Sequence, residues 1–282
     1  MAQASSAGNP RFPAGQSVLR RVHASIAVAA LYGQVGLLLA ATKPATLAHF
    51  LGVSAWAATA RSTRWPLLLE RLAYAAIVMD TMILGDDKEA ARVARRLTKA
   101  HAGADVTSSM LVWVTSCFAA AEEDVYSRFV RPLAGTEKSE YWADWRVFGH
   151  ALGISLDAMP ASYEDYRAAL ARELRQAALS APDRYLALDT CLELPGIQVP
   201  ARYRSLLPIV RIAVIGLLPD SVRSLYGLRW RWWHAAQFAV LARLARALHT
   251  LVPHRWLGLV DYGGLARAAR RTRAESGAAR DA

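Results

Sequence analysis

Residues 70–103 read ERLAYAAIVMDTMILGDDKEAARVARRLTKAHAG, two helical segments in different settings. Up to Gly85 the pattern is apolar almost all the way round, as expected of a helix buried on every side. Beyond it, Ala90, Ala94, Leu97 and His101 share one stripe, at spacings of four, three and four. Arg92, Arg95, Arg96 and Lys99 fall off that stripe, so this second helix lies on a core with one face in water. Gly85 and Gly103 follow the apolar-periodic runs as C-cap candidates. Asp86 or Asp87 can cap the second helix, with Glu89 in its first turn, where the helix dipole favours a carboxylate.

Two residues of this stretch carry candidate chemistry. His101 falls on the core face in the last turn, where it is either a hydrogen-bonded packing residue or a metal or haem ligand. Arg71 shares a stripe with Ala75, Val78 and Met82, and a guanidinium in that setting needs a partner. The partner is either a carboxylate or a bound anion, such as a haem propionate. A buried His and a buried Arg on successive helices suggest a site between them.

Outward from this stretch the chain reads as helical nearly throughout. Candidate helices cover 17–42, 44–57, 66–84, 87–102, 107–131, 137–152, 163–180, 183–192, 203–217 and 220–250, with Pro132, Pro160, Pro195 and Pro200 in the gaps. The expected fold class is all-α: a single compact helical domain over 17–262. A flexible segment precedes it at 1–16 and a basic tail follows at 263–282. Residues 22–42 carry no charge and include IAVAALYGQVGLLLAA. They read as a buried core helix, with a membrane span as the alternative. Arg20-Arg21 before that run also resembles a twin-arginine export signal, without a convincing cleavage site.

Hydrophobic residues make up 54% of the 282 and charged residues 20%, which excludes disorder for most of the length. The net charge of +11 is unevenly spread. Residues 1–69 hold six basic and no acidic residues, and residues 201–282 hold 14 Arg against Asp220, Asp261, Glu275 and Asp281. Because that charge is Arg set along apolar helical stretches, nucleic acid is not the expected partner. The segment LRWRWWHAAQF suits a lipid interface, so peripheral membrane contact is kept open for a cytoplasmic chain. Cys117 and Cys191 cannot form a disulfide framework or a thiolate zinc site. No Gly-rich nucleotide loop, HExxH, CxxC, Glu-x-x-His or Gly-x-Ser-x-Gly occurs. Glu122-Glu123-Asp124 reads as a solvated face, Trp113, Trp142 and Trp145 as core. Asp144 reads as the structural partner of a buried Arg.

The order of motifs resembles the rubber oxygenase (latex-clearing protein) catalytic-domain family, which also contains the ER-bound oxygenase of the mycophenolic acid pathway. The likeness runs over about residues 30–258 through LLLAATKPATLA, ERLAYAAIVMDTMILGD, the His101-Ala102-Gly103 helix end, SSMLVWVTSCF, SEYWADWRVFGHALGI, MPASYEDYRAAL and SLLPIVRIAVIGLLPDSVRSLYGLRW. It implies an all-α fold enclosing haem b, with His101 as the proximal iron ligand and Arg71 on the distal side. Tyr74 and Ala75 stand where the rubber enzymes have Lys and Thr, and Tyr74 becomes a candidate hydrogen-bond donor. Lys43-Pro44 and Thr115 stand where the family often has His, and no carboxylate precedes Glu70 to act as a distal base. The resulting expectation is a haem-dependent oxygenase using dioxygen on an apolar, terpenoid- or polyketide-like substrate. Its alternatives are a non-enzymatic membrane-associated helical protein and a family member that has lost catalysis.

Overall fold

A computed structural model of the chain describes residues 17–46, 74–102, 107–193 and 201–251. Among them every regular element is a helix. Besides a helical start at residues 44–46, these are in chain order α1 (Val18–His23), α2 (Ile26–Ala40), α3 (74–84), α4 (Asp87–Ala102), α5 (Ser108–Phe129), α6 (Gly135–Ala151), α7 (Tyr163–Gln176), α8 (Ala181–Leu188), α9 (Leu207–Leu217), α10 (Asp220–Leu225) and α11 (Trp232–Leu251). Tighter or wider turns flank them at Leu156–Ala158, Asp189–Glu193 and Ala201–Leu206. The all-α expectation holds. The candidate helix 44–57 beyond residue 46, the start of 66–84, Gly103, Pro195, Pro200, the two terminal segments and the domain's C-terminal limit lie outside the described residues.

The charge-free run divides into two helices where a single one was expected. Ser17 caps α1 by accepting from Arg20 N–H, and Ser25 caps α2 by accepting from Val28 N–H. The second cap ends α1 at His23, which local apolar patterning does not register. At 15 residues and a rise of about 1.5 Å each, α2 spans only about 22 Å, short of a bilayer core. No helix among the described residues is long and apolar enough to cross a membrane.

What α2 does is fill the centre, packed along α5. Gly36 makes the close approach possible, since a Cβ there would stand 3.0 Å from the Phe118 ring. Each of its last four carbonyls finds a donor, as a buried helix end requires. Leu37 O accepts from Ala41 N–H and Leu39 O from Thr42. Leu38 O accepts from the Tyr226 hydroxyl at 2.7 Å, and Ala40 O from Trp113 Nε1 at 3.1 Å.

The Trp residues belong to the core, as expected: Trp113, Trp142 and Trp145 are all buried. Trp142 stacks on Tyr166 at 4.0 Å and 5° and donates to Pro160 O, locking α6 against α7. Asp144 is structural, as expected, but its partner is no arginine. It accepts from Ser17 Oγ at 2.7 Å and Leu19 N–H at 3.1 Å, so a carboxylate of α6 satisfies the start of α1. The expected helix 220–250 is broken between α10 and α11, where Gly227 takes φ +68°, a conformation that disfavours other residues.

Candidate functional site

The site expected from the sequence rests on α3 and α4. The joint between them follows its local chemistry. Gly85 N–H donates to Thr81 O at 3.1 Å, and a Cβ on Gly85 would lie 2.3 Å from that carbonyl. Asp86 is the capping residue: its Oδ1 accepts from Lys88 and Glu89 N–H, both at 2.8 Å. Val78, Met82 and Ile83 of α3 are buried. On α4, Val93, Ala94 and Leu97 pack against the core while Arg92, Arg95, Arg96 and Lys99 face water. The amphipathic reading of α4 is therefore correct as far as Leu97.

His101 sits in the last turn of α4, and the placement of its side chain lies outside the described residues. So does Arg71, three residues before α3 begins. Tyr74, at the start of α3, is 54% exposed. The structure thus places α3 and α4 consecutively in the chain, joined through Gly85-Asp86, and gives no geometry between the three side chains.

It does bring together a set of polar residues that the sequence reading missed. His23, the last residue of α1, is buried, with Nδ1 2.5 Å from Glu122 Oε1 of α5 and Nε2 2.9 Å from Asp80 Oδ1 of α3. Glu122 is fully buried and uses its second oxygen as well. Tyr141 Oη lies 2.7 Å from Glu122 Oε2, and Trp145 Nε1 donates to the same atom at 3.1 Å. The Tyr141 hydroxyl also lies 2.8 Å from Ala119 O. The Tyr32 ring meets His23 edge-on at 5.4 Å.

Burial alone would depress the His23 pKa, but the charges and hydrogen bonds of Glu122 and Asp80 outweigh it and lift it to about 9. At neutral pH the ring is an imidazolium donating from both nitrogens, tying α1, α3 and α5 together. Burial, reinforced by the neighbouring Glu122, also holds the Tyr141 hydroxyl far above its usual range.

The solvated-face reading of Glu122-Glu123-Asp124 is wrong for its first two members. Glu123 is 4% exposed, accepts from the Tyr163 hydroxyl at 2.5 Å and faces Arg167 Nη1 at 3.6 Å. Asp124 is half-buried and accepts from Arg167 Nη2 at 3.3 Å. The reason is that α5 is central, with core or neighbouring helices on nearly every side. Consecutive positions pointing in different directions then all point into protein. The signal available was the Ala119-Ala120-Ala121 run just before, small residues that let helices close in all round.

The donor set bears on a haem or metal. No group of three or more His, Cys, Asp or Glu side chains among the described residues is arranged to hold a metal ion. Cys117 and Cys191 are buried free thiols, raised by burial, Cys191 to about 12. Both nitrogens of His23 are engaged. His150 is exposed and donates from Nδ1 to Ile154 O, and His234 Nδ1 accepts from Arg231 N–H. His101 belongs to the backbone of α4, one turn beyond Leu97 on the sequence stripe that packs against the core.

The family model described as "ER-bound oxygenase mpaB/B'/Rubber oxygenase, catalytic domain" matches residues 20–247. No curated protein and no solved structure matches the chain. A match of that extent runs from α1 into α11 and takes in both helices of the expected site, so the chain belongs to the ER-bound oxygenase mpaB/B'/rubber oxygenase catalytic-domain family.

Proposed function

We propose that this chain is a haem b-dependent oxygenase that uses dioxygen on an apolar, terpenoid- or polyketide-like small molecule. The observation that carries the reading is the family match over 20–247, within which His101 lies in the last turn of α4. When bound, haem would supply one-electron and dioxygen chemistry. In this reading one imidazole nitrogen of His101 would hold the iron, and the other would donate its N–H to an acceptor that fixes the ring. Arg71 steadies a propionate or a developing negative charge electrostatically, and the Tyr74 hydroxyl donates a hydrogen bond at the solvent-reachable start of α3.

The apolar substrate class is supported by how the buried polar groups are used. Among the described residues, His23, Glu122, Asp144, Tyr141 and Trp113 are all taken up by protein partners and are not free to recognise a polar molecule. A cytoplasmic location is part of the same proposal.

The test is the absorption spectrum of the purified chain, oxidised and dithionite-reduced, with haem and iron content measured beside His101→Ala. A Soret band in the parent that is lost in His101→Ala, with helicity unchanged, is the expected result. A chain that stays colourless after expression with ample haem overturns the cofactor. A band that survives in His101→Ala moves the ligand elsewhere.

A further inference from the structure

A helix at the edge of a helical domain normally turns its polar side to water. α11 does not. Phe238 and Ala242 are buried, and Leu241 and Ala245 pack beside them. Phe238 seats over Gly216 of α9, where a Cβ would come within 2.5 Å of its ring. The opposite face is also apolar: Val240, Leu244 and Leu248 are 52%, 57% and 58% exposed, in line with Trp233. Trp232, at the helix start, is 78% exposed. Nothing among the described residues covers this face.

The charge around it has one sign. Between Asp220 and Asp261 the sequence holds six arginines and no acidic residue. Arg229, Arg231 and Arg243 are exposed at the helix start and along its margin, and the Arg231 guanidinium stands over the Trp233 ring at 4.8 Å. Apolar side chains along the outer face, tryptophans at one end and arginines at the margin are the composition of a helix lying in a lipid interface. Trp sits at head-group depth and Arg meets lipid phosphate.

We infer that the outer face of α11 docks this chain peripherally on an anionic lipid bilayer, Val240, Leu244 and Leu248 entering the acyl boundary. A second copy of the chain is disfavoured as the occupant, because facing two such surfaces sets arginine against arginine without a carboxylate between them. The chain's own residues 262–282 meet the same objection, with five arginines against Glu275 and Asp281. Nucleic acid would want the arginines, and not leucine and valine, at the centre of the contact. The inference is independent of the iron ligand, and gives an oxygenase with an apolar substrate a surface where such molecules dissolve.

The experiment is co-sedimentation of the full chain with vesicles of phosphatidylcholine alone and of phosphatidylcholine mixed with phosphatidylglycerol, at low and high salt. Binding is expected on the mixed vesicles and weak on the neutral ones. The variant Arg229→Gln/Arg231→Gln/Arg243→Gln is expected to bind the mixed vesicles roughly 100-fold more weakly, and Leu244→Glu/Leu248→Glu at least ~10-fold more weakly. All five side chains are exposed, and far-UV circular dichroism checks that both variants keep their helicity. Absence of binding by the parent chain, or binding that neither variant weakens, overturns the inference. So does a parent dimer in analytical ultracentrifugation that Leu244→Glu/Leu248→Glu dissolves in a chain that ignores vesicles, since the face then belongs to a second copy.

Discussion

The α1/α3/α5/α6 cluster and the α9–α11 end handle charge in opposite ways. In the first, His23, Asp80 and Glu122 come from three helices and are joined by direct hydrogen bonds, with His23 and Glu122 buried and Asp80 reaching the surface. In the second, Arg229, Arg231 and Arg243 are exposed around an apolar face turned outward. Paired charge can be placed inside, where it ties helices together at the cost of desolvation. Unpaired charge of one sign has to stay in water or wait for an oppositely charged partner.

Removing Glu122 is the strongest way to break the first arrangement. Glu122→Ala leaves the buried His23 cation facing Asp80 alone and strips an acceptor from Tyr141 and Trp145, and should cost about 3–5 kcal/mol. Urea unfolding followed by circular dichroism measures it. A loss under about 1 kcal/mol would show that the cluster is not holding these helices.

The same cluster should make stability fall with rising pH. The folded imidazole keeps its proton to about 9 and the unfolded one only to 6.5, so the folded chain binds more protons between those values. The contribution of His23 is complete below about pH 6.5 and is lost as pH climbs through 9, by on the order of 3 kcal/mol. Unfolding free energies across that window, with His23→Gln as the comparison that flattens the slope, check it.

At the other end, Gly216→Ala drives a Cβ into the Phe238 ring. It should cost about 1–3 kcal/mol, measured by thermal unfolding, and disturb the α9–α11 seat without touching the cluster. The smallest effect is expected at an exposed pair. Glu137 accepts from Arg131 and from Ala134 N–H, which hold its carboxyl at about 2. Glu137→Gln should cost no more than about 1 kcal/mol. That small contribution is present above about pH 4.5 and fades as pH falls toward 2, so the two sequences should converge in strong acid.

α4 was legible almost to the residue, because a helix half in water writes its environment into a 3.6-residue period and its cap is made by the neighbouring Asp86. The residues 22–42 were legible as core material but not as two helices. Ser25 is an ordinary N-cap, yet nothing local says that the helix before it ends with a histidine that must reach Glu122, 99 positions away. Glu122 was misread for the same reason. A central helix has no solvent face, and the pattern of its polar residues then reports partners on other helices. Asp144 shows the intermediate case, a buried carboxylate recognisable as structural whose partner is a helix start 127 positions back.

The candidate site divides along the same line. Residue types and order marked His101, Arg71 and Tyr74 and pointed to an oxygenase family to which the chain belongs. Composition, periodicity and caps were enough for an all-α chain with α3 and α4 in tandem, because those signals act within about four residues. Folding settled that a histidine from the charge-free run and a glutamate from an acidic triplet meet in a direct hydrogen bond in the core. It also settled that the last described helix keeps an apolar face outside. Both depend on which helices become neighbours, and long-range packing carries no local signature.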